Sequence, residues 1–138
     1  MQKQDAVQKF IQRDRFARHV EIEMLSCSAG TAKARMRVRD HHLNSAGTVH
    51  GGAIFALADA VFSAASNSHG TLALAINVSI SYFLAVSKGT LIAEAREVSL
   101  NPRLATYVID VTNEAGEAVA LFQGTVYRKK DRLEDIVP

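Results

Sequence analysis

Residues 52–67 (Gly-Ala-Ile-Phe-Ala-Leu-Ala-Asp-Ala-Val-Phe-Ser-Ala-Ala-Ser-Asn) carry apolar side chains nearly all the way round a helical wheel. A helix on a protein surface shows one apolar stripe, whereas a helix that is apolar on most sides has to be enclosed. This one is too short to cross a bilayer and is interrupted by Asp59. The rest of the chain must therefore enclose it. Everything after Ser68-His69-Gly70 reads as strand: Leu72–Val86, Thr90–Leu100, Thr106–Asn113 and Ala118–Lys129. The joints at Ser87-Lys88-Gly89, Asn101-Pro102-Arg103 and Glu114-Ala115-Gly116 are short, which makes neighbouring strands antiparallel. An α+β domain follows, with one antiparallel sheet covering a central helix.

The residues before that helix fit the same plan. Val7, Phe10, Ile11 and Asp14 fall at helical spacing within 4–17, predicting an N-terminal amphipathic helix inside residues 1–18. Residues 20–28 read as a strand. Thr31–Arg39 alternates Ala32, Ala34, Met36 and Val38 against Lys33, Arg35, Arg37 and Arg39, a half-buried strand with a basic outer face. Residues 40–50 are polar and irregular, a loop. In the strand after the helix, Leu74, Ile76, Val78, Ile80 and Tyr82 share one phase. The charged residues 130–138 predict a loose tail. At 138 residues the chain is expected to form a single domain, residues 1–138.

Composition narrows the function. A net charge of +2 is too mild for the basic face of a nucleic-acid binder, yet suits a small polyanionic ligand. The single cysteine, Cys27, cannot form an internal disulfide, as expected of a protein of the reducing cytoplasm. No signal-peptide core or membrane span is expected. His41, His42 and His50 lack the spacing of a metal site, so neither metal nor cofactor is expected.

Asp59 is the only Asp, Glu, Lys or Arg between Asp40 and Lys88. A lone carboxylate in so apolar a helix is costly unless it is paired or functional. Just ahead of it, His50-Gly51-Gly52 opens the helix, where backbone N–H groups and the helix dipole favour an anion. The glycines either admit a substrate to those N–H groups or merely permit a tight helix entry. Asn44 is placed to hold a water or to close the loop. His50 is placed to orient the glycine turn or to touch the substrate.

The pattern Asn44-x-x-Gly47-x-x-His50-Gly51-Gly52-x-x-x-x-Leu57-x-Asp59 resembles the signature of hotdog-fold acyl-CoA thioesterases of the phenylacetic-acid-degradation (PaaI-like) branch. The likeness extends over nearly the whole chain, including Asn77–Phe83 and Val119–Arg128. It implies a helix wrapped by a curved sheet, dimers made by joining two sheets, and dimers doubled into tetramers. It also implies hydrolysis of small acyl- or aryl-CoA thioesters at the dimer interface, where Asn44, His50 and Gly51 of one subunit face Asp59 of the other. In that reading the Gly51 N–H stabilises an oxyanion and Asp59 serves as base or nucleophile.

The acyl group is expected against Gly52, Ile54 and Phe55 at the helix start and against Ala75, Asn77 and Ser79 on the facing strand. Ala75 stands near where some relatives carry a water-placing hydroxyl. Arg103 is expected to meet the coenzyme A phosphates, with Lys88, Arg128 and Lys129 as further candidates. A non-catalytic acyl-CoA-binding module on the same fold is the alternative; turnover separates the two. A hotdog hydratase would need a differently spaced histidine–acid motif, which the chain lacks.

Overall fold

The computed structural model describes all 138 residues. Helix α1 spans Lys3–Gln12 and α2 Arg15–His19; strands β1 (Ile22–Ser28) and β2 (Thr31–Arg37) form a hairpin. A 3₁₀ turn at Asp40–His42 leads through a loop to α3 (Gly51–Asn67). Strands β3 (Thr71–Tyr82), β4 (Thr90–Leu100), β5 (Leu104–Thr112) and β6 (Ala118–Arg132) follow, and α4 (Leu133–Ile136) closes the chain. The six strands form one antiparallel sheet in the order β1-β2-β4-β5-β6-β3. This is the α+β arrangement, one antiparallel sheet around a central helix, that the apolar wheel predicts and that the hotdog resemblance implies. No helix is long and apolar enough to cross a membrane.

The sheet closes on α3 through Leu57, Ala58, Val61, Phe62 and Ala65, all buried with Met36, Leu91, Tyr107, Ile109 and Phe122. The many alanines of α3 let the strands approach closely. Gly124 of β6 marks the tightest point. A Cβ there would stand 2.6 Å from the Phe62 ring, which is itself packed on Tyr107 and Phe122.

Three expectations need correction. The N-terminal helix breaks at Arg13-Asp14, because Asp14 Oδ1 accepts from the Ala17 N–H at 2.9 Å and starts α2. The segment 130–138 is not loose: β6 runs to Arg132, and Leu133 and Val137 are buried against Ala6 and Val7 of α1. Lys9 Nζ and Arg13 Nη1 also donate to the carbonyls of Pro138 and Ile136, at 3.1 and 3.0 Å.

The third correction concerns β3. Its register slips between Ala75 and Asn77, leaving Ile76 in a bulge. Ala75 pairs with buried Val126 on the side of buried Ala73 but is itself exposed, whereas beyond the bulge Val78 and Ile80, opposite Gly124 and Phe122, are half-buried. Leu74 therefore points outward, out of phase with Val78 and Ile80. Asn77 and Ser79 lie on the outer face, away from Ala75. The strand is also an edge, exposing Leu74, Ile76, Tyr82 and, just beyond its end, Phe83.

Gly124→Ala is expected to lower stability by about 1–3 kcal/mol, the usual range for overpacking a filled core. Denaturant unfolding measures it, and an unchanged midpoint would mean that the Phe62 ring yields freely.

Candidate active site

The site is assembled from the loop between β2 and α3. Asn44 Oδ1 accepts from the N–H groups of Ala46 and Thr48 at 2.9 and 3.1 Å, and its Nδ2 donates to Thr48 Oγ1 at 3.0 Å. Gly47, at φ +79°, takes the left-handed conformation this turn requires. Of the two placements open to Asn44, the geometry favours closing the loop.

His50 is the N-cap of α3. Its Nδ1 accepts from the Gly52 N–H at 2.8 Å, and its carbonyl accepts from Ala53 and Ile54 at 2.9 and 3.2 Å. The Gly52 amide is thus engaged by the cap, leaving the Gly52 N–H turned to His50 in this chain. The glycine is there because a Cβ would stand 3.0 Å from the His50 imidazole. One donor of the first turn is left over: the Gly51 N–H has no hydrogen-bond partner within the chain. It lies where the helix dipole concentrates positive charge.

Two side chains hold this arrangement, and neither stands out in the sequence. His42 is buried; its Nδ1 accepts from the Arg39 N–H at 2.9 Å and its Nε2–H donates to the Val20 carbonyl at 2.7 Å. The His42 carbonyl in turn accepts the His50 N–H at 2.7 Å. With both ring nitrogens engaged, His42 is a structural clamp. Tyr82 supplies the second hold, donating its hydroxyl to the Gly51 carbonyl at 2.9 Å. Its in-phase position on a strand gives a signal of burial but none of this contact.

Asp59 lies on the stripe of α3 that the sheet leaves open, half-buried and without a salt bridge or hydrogen bond in the chain. Burial, and secondarily the charge of Asp14, raise its pKa above the ordinary aspartate value. Gly51 and Asp59 are eight residues apart in the sequence, so they lie roughly 12 Å apart along the helix axis. One carbonyl group cannot touch both within one chain.

The remaining candidates scatter. Ile54 is buried in the core and Phe55 packs edge-on to Phe122 with ring centroids 5.3 Å apart. The bulge separates Ala75 from Asn77 and Ser79, so these residues do not form a common lining. Lys88 follows Val86, whose carbonyl holds the Val49 N–H beside the start of α3. Arg103 lies at the opposite end of the sheet, where its carbonyl accepts the Arg128 N–H at 2.7 Å; Lys129 is at that end as well. Cys27 is half-buried, with its thiol pKa raised by burial, and donates weakly to the Ala64 carbonyl.

Comparison with known proteins sets this geometry in context. Residues 46–120 match the family model of the Thioesterase superfamily. A putative esterase of Archaeoglobus fulgidus is 49% identical over 116 residues, covering 83% of this chain and 75% of that protein. The acyl-coenzyme A thioesterase PaaI of Escherichia coli is 34% identical over 116 residues, 83% of each chain. A solved structure of the E. coli PaaI protein from the phenylacetic acid degradation operon superposes with a TM-score of 0.88 at 28% identity, covering 95% of this chain and 99% of that one.

The raised pKa of Asp59 carries a stability consequence. Above the folded-state pKa the carboxylate is charged at a cost to the fold; as pH falls through that pKa towards the unfolded value, protonation removes the cost. Asp59→Asn is therefore expected to unfold at the same or a higher temperature than wild type at neutral pH, with the gap closing in acid. Thermal unfolding across pH checks this; a variant clearly less stable at neutral pH would mean that the carboxylate is a structural partner.

Proposed function

Because the chain belongs to the thioesterase superfamily, we propose that it hydrolyses small acyl- or aryl-CoA thioesters to the free acid and coenzyme A, at sites built from two copies of the chain. The observation that carries this reading is the pairing on one helix of an unpartnered Gly51 N–H with a half-buried, unpaired Asp59, too far apart to serve one carbonyl alone. An opposed second copy would bring the Gly51 of one chain to the Asp59 of the other. The exposed edge of β3, with Leu74, Ile76 and Phe83 open to solvent, supplies the surface for joining two sheets.

The chemistry asks for little more. A thioester carbonyl has weak resonance stabilisation, and the departing thiol is a good leaving group with a pKa near the free-cysteine value of about 8.5. Asp59 takes a proton from water as the water oxygen bonds to the carbonyl carbon, or attacks that carbon itself to give a mixed anhydride. In either course the carbonyl oxygen becomes an anion held by the Gly51 N–H and the helix dipole. Collapse breaks the C–S bond and the thiolate leaves with the electron pair. In the general-base course it takes up the proton that Asp59 removed from water. In the anhydride course a water then cleaves the acyl–Asp59 bond, releasing the acid, restoring the carboxylate and supplying the thiolate's proton. Burial, and secondarily the charge of Asp14, raise the Asp59 pKa, which makes its carboxylate a stronger base than that of an exposed aspartate. Lys88 is the cation best placed to meet a phosphate near the same subunit's Gly51; Arg103 reaches it only along the length of the coenzyme or from another copy.

Asp59→Asn is expected to lower kcat by at least ~100-fold, the low end of general-base contributions, in a free-thiol release assay on phenylacetyl-CoA. Near-normal turnover would overturn the assignment. Across an acyl-CoA panel, kcat/KM is expected to peak at phenylacetyl-like or short-to-medium groups and to decline at palmitoyl-CoA. A steady rise to palmitoyl-CoA would indicate an open tunnel instead.

A further inference from the structure

The expected lining at the helix start is dispersed by the β3 bulge and the burial of Ile54, yet the chain does contain one sizeable apolar cavity. It lies between the N-terminal helices, β1 and the open stripe of α3, has a volume of about 480 Å³, and is walled by Phe10, Ile11, Ala17, Met24, Ala60 and Ser63. That size falls within the range of small-molecule sites, roughly 300–1,000 Å³. The charged groups of its wall, Arg13, Asp14 and Arg18, each hold a partner in the chain: Asp14 Oδ1 accepts the Ala17 N–H, and Arg13 and Arg18 donate to the Ile136 and Gln12 carbonyls. What remains facing inward is mostly hydrocarbon.

The cavity lies next to Asp59 along α3. Ser63 is one helical turn beyond Asp59 on the same stripe, which places their Cβ atoms about 5–6 Å apart. Ala60, the next residue after Asp59, is also in the wall. On the other side, Asp14 lines the cavity and is close enough for its charge to act on Asp59. Asp59 is not itself in the wall, but its chain neighbour Ala60 and Ser63, one turn on, are, so the carboxylate lies beside the apolar space.

Resting on the hydrolase reading above, we propose that the α1/α2–α3 cavity receives the acyl group of the thioester, in the same chain that supplies Asp59, and selects for uncharged aryl or medium-length acyl groups. A carbonyl held by the partner's Gly51 N–H would then lie across the Asp59 carboxylate with its hydrocarbon directed under α2. The break at Asp14 gains a purpose in this arrangement. It turns α2 so that Ala17, a side chain of minimal size, faces the space.

The test is a pair of substitutions that change the cavity and leave the reacting groups alone. Ala17→Phe fills it and Phe10→Ala enlarges it. With oligomeric state and thermal unfolding measured beside the kinetics, Ala17→Phe is expected to lower the ratio of kcat/KM for phenylacetyl-CoA to that for acetyl-CoA at least tenfold. Phe10→Ala is expected to move the optimum towards longer acyl chains, and it decides the matter alone should the Ala17→Phe variant fail to fold. Unchanged profiles in both variants would overturn the proposal, as would a change of assembly in Ala17→Phe without a change of specificity, which would make the cavity a seat for another chain. Asp59→Asn, assayed in parallel, separates the two claims. If it loses turnover while the cavity variants keep the wild-type profile, the cavity assignment fails and the hydrolase reading survives; if it retains turnover, the catalytic reading fails by itself.

Discussion

Enclosure of α3 by the sheet on all sides but one governs everything else in this molecule. Leu57, Ala58, Val61, Phe62 and Ala65 hold the helix against the strands. The approach is close enough that Gly124 has no room for a side chain. A helix fixed this way presents its N-terminus and one stripe in constant positions. The N-terminus carries the Gly51 N–H, and the stripe carries Asp59. Rigid placement is what electrostatic stabilisation of a developing charge requires, since donors that have to reorganise during reaction lose much of their effect.

The amide of Gly51 remains available only because its neighbours are satisfied elsewhere. His42 clamps the 3₁₀ turn between the Val20 carbonyl and the Arg39 N–H, and its own carbonyl fixes the backbone of His50. The His50 ring then captures the Gly52 N–H, and Tyr82 holds the Gly51 carbonyl from β3. Each of these bonds contributes modestly to stability, about 0.5–1.5 kcal/mol for a typical hydrogen bond. Together they aim one unpaired donor outward at a helix terminus.

How far the sequence reveals this depends on whether a feature is written locally. The apolar wheel of residues 52–67, the lone Asp59 and the paired glycines are local patterns, and they point to the enclosed helix and to the candidate groups. The bulge at Ile76 leaves no trace, because Leu74, Ile76, Val78 and Ile80 are apolar whichever way the register runs. Leu133 and Val137 form an i,i+4 pair that docks on Ala6 and Val7, but the charges of Lys129–Arg132 ahead of them suggest solvent. His42 gives no signal of its clamp because its partners, Val20 and Arg39, are brought to it by tertiary structure. Asp14 falls in helical phase with Phe10 and Ile11, which hides its role as a cap.

The central claim is that one thioester is held by two chains, with the oxyanion donor and the acid on different copies. The most direct measurement mixes two inactive variants, Asp59→Asn and Gly51→Val, the second crowding the Tyr82 ring that lies 3.2 Å from a Cβ at that position. Once subunit exchange is demonstrated, hybrid dimers contain one intact site, and random pairing of twofold dimers should restore activity on the order of a quarter of the wild-type rate. Activity that stays at the sum of the two parents despite proven exchange would contradict the shared site.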